Sequence, residues 1–177
     1  MLRCAVGAVR LDVSPIFVVQ RHEATALHYD LRLQVGDVLA SWAVPKGPSL
    51  DPRVKRLAKQ VDDHELGHAT FEGQAGRHRG GPGTVIVWDT GELTNLTERH
   101  GEPVELADAV DRGHLKVALH GQKLSGAFAL TRTSMGDDPR NWILVKIDDD
   151  AADRERRPEE TELRSVLTGR TNEDLRS

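Results

Sequence analysis

Apolar residues along this chain gather into short runs bounded by glycine, proline or aspartate, not into long stripes of helical period. Seven runs stand out: IFVVQR from Ile16, LHYDLRLQV from Leu27, VLASWAV from Val38, TVIVWD from Thr84, HLKVALH from His114, LSGAFALTRT from Leu124 and WILVKID from Trp142. Runs of this length, alternating or continuously apolar, read as strands, and seven of them predict an all-β fold. Gly36-Asp37 separates the second run from the third, and Gly121-Gln122-Lys123 the fifth from the sixth. Both pairs therefore predict antiparallel hairpins. Only VELADAVDRG, from Val104, carries helical spacing. A closed barrel is expected ahead of an open sandwich, because closure removes exposed edges.

Composition refines this picture in three places. At 177 residues the chain suits one well-buried core. The expected division is an N-terminal arm over 1–15, a barrel over 16–150 and a charged, flexible tail over 151–177, since DDDAADRERRPEETE is nearly free of apolar residues. No apolar run approaches the roughly 18 residues of a membrane span. Cys4 is the only cysteine, which excludes an internal disulfide and a thiolate zinc cluster and fits a reducing, cytoplasmic setting. The formal net charge is −4, which argues against a broad nucleic-acid-coating face. Its distribution is uneven, because residues 1–60 carry nine Lys/Arg against five Asp/Glu. A local phosphate-binding patch in that third remains open.

Residues two apart on a strand share a face, so LHYDLRL sets His28, Asp30 and Arg32 in one row and Leu27, Tyr29, Leu31 and Leu33 in the other. The preceding strand ends with Gln20 and His22, and the short connection to Leu27 makes the two strands neighbours. His22, His28 and Asp30 can then converge as a three-ligand site for Mn²⁺, Zn²⁺ or Fe²⁺, with positions left for water and substrate. Arg32 beside them, with Lys46, Arg53, Lys55 and Arg56 following, suits an anionic phosphate. A polar strand row is also the mark of an ordinary solvated face, and H-x₅-H-x-D alone leaves both readings open. By the same reasoning Arg53–Lys59 reads as a solvated turn, and His64, His68, His78, His100, His114 and His120 as surface residues. Trp42, Trp88 and Trp142, inside apolar runs, read as core anchors.

The run from Phe17 to Ala58, FVVQRHEATALHYDLRLQVGDVLASWAVPKGPSLDPRVKRLA, resembles the phosphoesterase domain of bacterial ATP-dependent DNA ligase D and its stand-alone relatives. The likeness continues through VDDHELGHATFEG and GTVIVWDTGE, and RSVLTGRT looks like the linker that follows this domain in the multidomain ligases. The resemblance implies an eight-stranded barrel and Mn²⁺-dependent healing of 3′ ends in non-homologous end joining, with Zn²⁺ or Co²⁺ as other metals. The expected substrates are primer-template ends carrying a ribonucleotide or a 3′-phosphate, and the expected partners an end-joining ligase or polymerase. It places His22, His28 and Asp30 on the metal, Arg32 and His64 as the catalytic pair on phosphate, and Gln20, Lys46 and Arg56 at secondary pocket positions. His68 falls where the family has a pocket tyrosine, with Glu65 in place of a proline, and Arg77, His78 and Arg79 make an adjoining loop basic. Two other readings stand beside hydrolysis: a module that grips 3′-phosphorylated ends, and a mononuclear iron oxygenase built on the same trio.

Overall fold

The computed structural model describes residues 14–76 and 83–176. Most of the expected N-terminal arm, including Cys4, and the basic Arg77-His78-Arg79 run lie outside the described residues.

Eight antiparallel strands close into a barrel. They are β1 (Ile16–Glu23), β2 (Leu27–Val35), β3 (Val38–Val44), β4 (Lys55–Glu65), β6 (Gly83–Asn95), β9 (His114–His120), β10 (Ser125–Arg132) and β11 (Asn141–Lys146). Around the barrel the order is β1-β2-β3-β4-β11-β10-β9-β6, and β6 returns to β1. The short β5 (Gly73–Ala75) adds to β6, and β7 (Glu98–Arg99) pairs with β8 (Glu102–Pro103) apart from the barrel. Both expected hairpins form, β2 with β3 and β9 with β10, and Gly36 takes the positive φ of 61° that its turn requires. The helical pattern becomes α1 (Leu106–Arg112), ended by Gly113 at φ 86°, whose N–H reaches Ala109 O and Val110 O.

Alternation along the strands divides the side chains between two clusters. Phe17, Val19, Tyr29, Leu31, Leu33, Trp42, Trp88 and Trp142 belong to the main core inside the barrel. All three tryptophans are fully buried, as their setting in apolar runs predicts. Val18, Leu39 and Val87, on the outer face of the strands, form a smaller cluster with Ala69 of the 3₁₀ segment Leu66–Thr70. That outer face is the one that carries the polar row.

Two expectations are corrected. Arg53–Lys59 is not simply a solvated turn: from Lys55 onward it is β4, paired with β3 on one side and β11 on the other. Its sequence, KRLAKQVDDHE, gives little sign of this because only Ala58 is fully buried. The segment after Asp150 was expected to be flexible, yet it is laid against the barrel. Pro158–Thr161 forms a one-turn α2, Glu159, Ser165 and Asn172 are buried, and Tyr29 donates its hydroxyl to Glu159 O at 2.6 Å. Charged composition predicts few apolar contacts; it does not count the hydrogen bonds through which such a segment can be fastened.

At β6 one bond from this segment joins others from elsewhere in the chain. Between its pairings with β5 and β9, the β6 edge lacks a strand partner among the described residues. Val87 N instead donates to Glu72 Oε1 at 2.9 Å, Val166 N donates to Val87 O at 3.0 Å, and Asp89 accepts from Gln122, Lys123 and Leu124. Where β6 meets β9, Gly91 lies so close to His120 O that a Cβ would stand 2.0 Å from it.

Candidate active site

β1 and β2 pair with His22 opposite His28, Gln20 opposite Asp30 and Val18 opposite Arg32. The register brings the trio together as strand spacing predicts. One donor atom from each of His22, His28 and Asp30 lies within 4.8 Å of the others. His28 Nε2 is 3.3 Å from Asp30 Oδ2, His22 Nδ1 is 3.9 Å from the same oxygen, and the two imidazole centroids are 4.7 Å apart. His22 Nε2 is buried with no hydrogen-bond partner among the described residues. An unpaired buried nitrogen is costly, and two imidazoles with one carboxylate are a donor set that a divalent transition ion accepts. The residues present fit a metal.

This row is no solvated face. Asp30 and Arg32 are only 7% and 4% exposed, and Gln20 is fully buried, because the 3₁₀ segment Leu66–Thr70 and the chain after it close over the outer side of β1 and β2. Gln20 fastens that cover, its Nε2 donating to His68 O at 2.9 Å and to Phe71 O at 3.1 Å. Its Oε1 accepts from Arg32 Nε at 2.7 Å, while Arg32 Nη1 donates to Ser41 Oγ at 2.9 Å and Nη2 stands 3.5 Å from Asp30 Oδ2.

His64 reaches the same cleft through a β-bulge. Leu39 pairs with His64 but Ser41 with Val61, so β4 holds one residue more than β3 over this stretch. Ala58 and Gln60 point inward; the extra residue reverses the alternation and turns His64 outward onto the trio's face. The resulting cleft, about 510 Å³, is lined by His22, His28, Asp30, Arg32, His64 and His68, with Asp62, Val61, Ala43, Phe71 and others between them.

Burial and charge set the protonation of these groups. Burial, with His28 alongside, depresses the His22 pKa. Burial would lower His28 too, but its hydrogen bond to Asp30 and the carboxylate charge outweigh that and raise it. Burial pushes Asp30 upward, yet the His28 hydrogen bond and the Arg32 charge bring it below the usual carboxylate range. Burial and the Arg32 charge lower His68.

The other expected pocket residues are placed differently. Gln20 lies behind the cleft as a buried bracket, with its amide already committed. Lys46 is exposed in the turn after β3, and Arg56 faces Glu159, Nη2 to Oε1 at 3.5 Å. Neither lines the cleft. Reading the sequence missed Ser41, Asp62 and Phe71; the adjacent Asp62-Asp63 pair was the one visible trace of the bulge.

The class is thus a closed antiparallel barrel that carries a two-histidine, one-carboxylate cluster, a donor set suited to a metal, beside a buried arginine on its outer wall. Residues 20–132 match the DNA Ligase D 3'-phosphoesterase domain, and the chain belongs to that family. It is 48% identical over 136 residues to the multifunctional non-homologous end joining protein LigD of Pseudomonas aeruginosa, covering 77% of this chain and 15% of that protein. It is 44% identical over 132 residues to the LigD repair protein of Mycobacterium tuberculosis, covering 74% and 16%. With LigD of Mycolicibacterium smegmatis it shares 37% over 134 residues, covering 75% and 17%. The chain thus spans about one-sixth of the length of these relatives. Among the described residues no helix is long and apolar enough to cross a membrane.

Proposed function

We propose that this chain is a metal-dependent hydrolase acting at the 3′ ends of nucleic-acid strands in non-homologous end joining. It removes a 3′-terminal ribonucleoside and then the remaining 3′-phosphate, leaving a 3′-OH for a polymerase or ligase. The observation that carries this reading is the gathering of His22, His28, Asp30, Arg32 and His64 in one cleft of a 3′-phosphoesterase-family barrel.

His22, His28 and Asp30 would hold the ion, with Mn²⁺ proposed and Zn²⁺ or Co²⁺ as alternatives. A divalent ion bound there supplies Lewis acidity and lowers the pKa of a coordinated water. The protein's own work is positioning and charge stabilisation, which dominate phosphoryl transfer. Arg32, fixed by Gln20 and Ser41, presents its cation to the non-bridging phosphate oxygens without having to reorganise. His64 stands on the opposite strand wall, where an imidazole donates a proton to the departing oxygen. His68 has its pKa lowered, so at neutral pH it acts as an uncharged hydrogen-bonding side chain.

That replacement of the family's tyrosine by His68 favours one other reading, a module that grips a 3′-phosphorylated end with little turnover. A 5′-labelled primer-template ending in one ribonucleotide or in a 3′-phosphate, with and without Mn²⁺, separates the two. Stepwise Mn²⁺-dependent shortening and dephosphorylation, lost in His28→Ala, is the expected result. A Mn²⁺-dependent gel shift without conversion would make the chain an end-binding module instead.

A further inference from the structure

A second depression, about 540 Å³, adjoins the cleft and is lined by Asp63, His64, Glu65, Gly67, His68 and Phe71. His64, His68 and Phe71 also line the first cleft, so these three rings are a wall common to both hollows. They form a column: His64 and His68 are 4.6 Å apart between centroids, and His68 lies stacked on Phe71 at 5.3 Å and 16°. The two sides differ in chemistry. Arg32 and the three candidate ligands stand on one side; the exposed carboxylates of Asp63 and Glu65 stand on the other.

Resting on the hydrolytic reading above, we infer that the second depression receives the leaving group of the first reaction, the 3′-terminal nucleoside. In displacement at phosphorus the attacking and departing oxygens lie roughly in line. With the phosphate held by Arg32 and the attacking water on the trio's side, the departing oxygen points across the ring wall. The bond from the water oxygen to phosphorus forms and the bond from phosphorus to O5′ of the terminal nucleoside breaks. One water proton ends on that O5′ and the other is released, leaving a 3′-phosphate on the strand and a free nucleoside.

The chemistry of the depression suits this product. A nucleoside is uncharged, and its sugar hydroxyls donate to carboxylates that would repel a phosphate. Its base can extend the column of rings, since stacking on aromatic side chains tolerates any base. The volume falls within the range of about 300–1,000 Å³ usual for small-ligand sites. Gly67 keeps the hollow open, because a Cβ built on it meets nothing within 4 Å and its backbone lies outside the positive-φ region.

The test compares two rates in the full chain: ribonucleoside removal from a strand ending in one ribonucleotide, and phosphate release from a strand ending in a 3′-phosphate. Gly67→Leu places a side chain in the depression, and its expected effect is a fall in kcat/KM for the first reaction at least ten times larger than for the second. Glu65→Gln with Asp63→Asn, which keeps the shape, is expected to narrow the preference for a terminal ribonucleoside over a 2′-deoxynucleoside, mainly through KM. If both variants change the two reactions equally, or change neither, the inference is overturned while the hydrolytic reading stands. A wild type inactive on both strands removes the hydrolytic reading and this inference together.

Discussion

The guanidinium of Arg32 is tied to the side-chain amide of Gln20, Nε donating to Oε1 at 2.7 Å. The same amide holds the 3₁₀ cover through His68 O and Phe71 O, so the aim of the arginine and the seat of the cover depend on one residue. Arg32→Lys keeps the charge but loses the planar fork that Gln20 and Ser41 fix. The expected loss in kcat for phosphate release is about 10²-fold, the order found for removing one preorganised donor. Steady-state kinetics on a 3′-phosphate strand check it, and an unchanged kcat would contradict the role given to Arg32.

Metal uptake should depend on pH in a defined sense. His28 must be neutral to serve as a ligand, and its partnership with Asp30 raises its pKa in the metal-free protein. Protons therefore compete with the ion: Mn²⁺ affinity is expected to weaken as pH falls through the raised pKa of His28, with proton release on binding. Calorimetry in two buffers of different ionisation enthalpy measures this. His28→Ala and Asp30→Ala should abolish both the binding heat and Mn²⁺-dependent phosphate release.

Asn172 gives a stability prediction. It is 1% exposed; its Nδ2 donates to Arg21 O at 3.0 Å and Thr84 O at 2.8 Å, and its Oδ1 accepts from Arg21 Nη1 at 2.8 Å. Truncation leaves those buried groups unsatisfied, at about 1–3 kcal/mol. Asn172→Ala should lower the denaturant midpoint accordingly, and a change too small to resolve would mean that the last described residues are only loosely applied to the barrel.

Lys123 should make stability rise at alkaline pH. Burial brings its pKa from 10.5 to about 8, with Asp89 and Glu162 opposing the fall, while Nζ donates to Arg164 O and lies 4.9 Å from the Trp88 ring centroid. Because the folded pKa is lower, the unfolded chain binds more protons between pH 8 and 10.5, and stability contributed by this group grows as pH climbs through that window. Lys123→Met should flatten the rise, read as the difference in denaturant midpoints between the two proteins at pH 7.5 and pH 10.

Strand spacing alone brought His22, His28 and Asp30 together, because each follows from a period of two and a short connection. His64 could not be reached in that way. Its orientation comes from an extra residue in β4, of which the adjacent Asp62-Asp63 pair is the one trace in the sequence. β4 itself went unread since its inward side carries only Ala58 and Gln60 in mid-strand, while two of its apolar residues, Leu57 and Val61, are exposed on its outward side. The fastening of residues 151–176 was hidden for a related reason: Glu159, Ser165 and Asn172 are buried through polar bonds, whereas sequence patterns report chiefly on apolar burial. Lys46 and Arg56 follow both from the basic run after Arg32 and from the resemblance, yet the barrel sets both outside the cleft.

The amide of Asn172 spans the line where β6 meets β1, the junction that turns a curved sheet into a cylinder. A chain emerging from the ribosome presents β1 first, waits for β6, and receives this clasp only after some 150 further residues than Arg21, its partner. Closure of such distant parts carries a loop entropy that local contacts cannot offset. The trio on β1 and β2 is made early in synthesis, but the cylinder that holds those strands in register is clasped only once Asn172 has joined the fold.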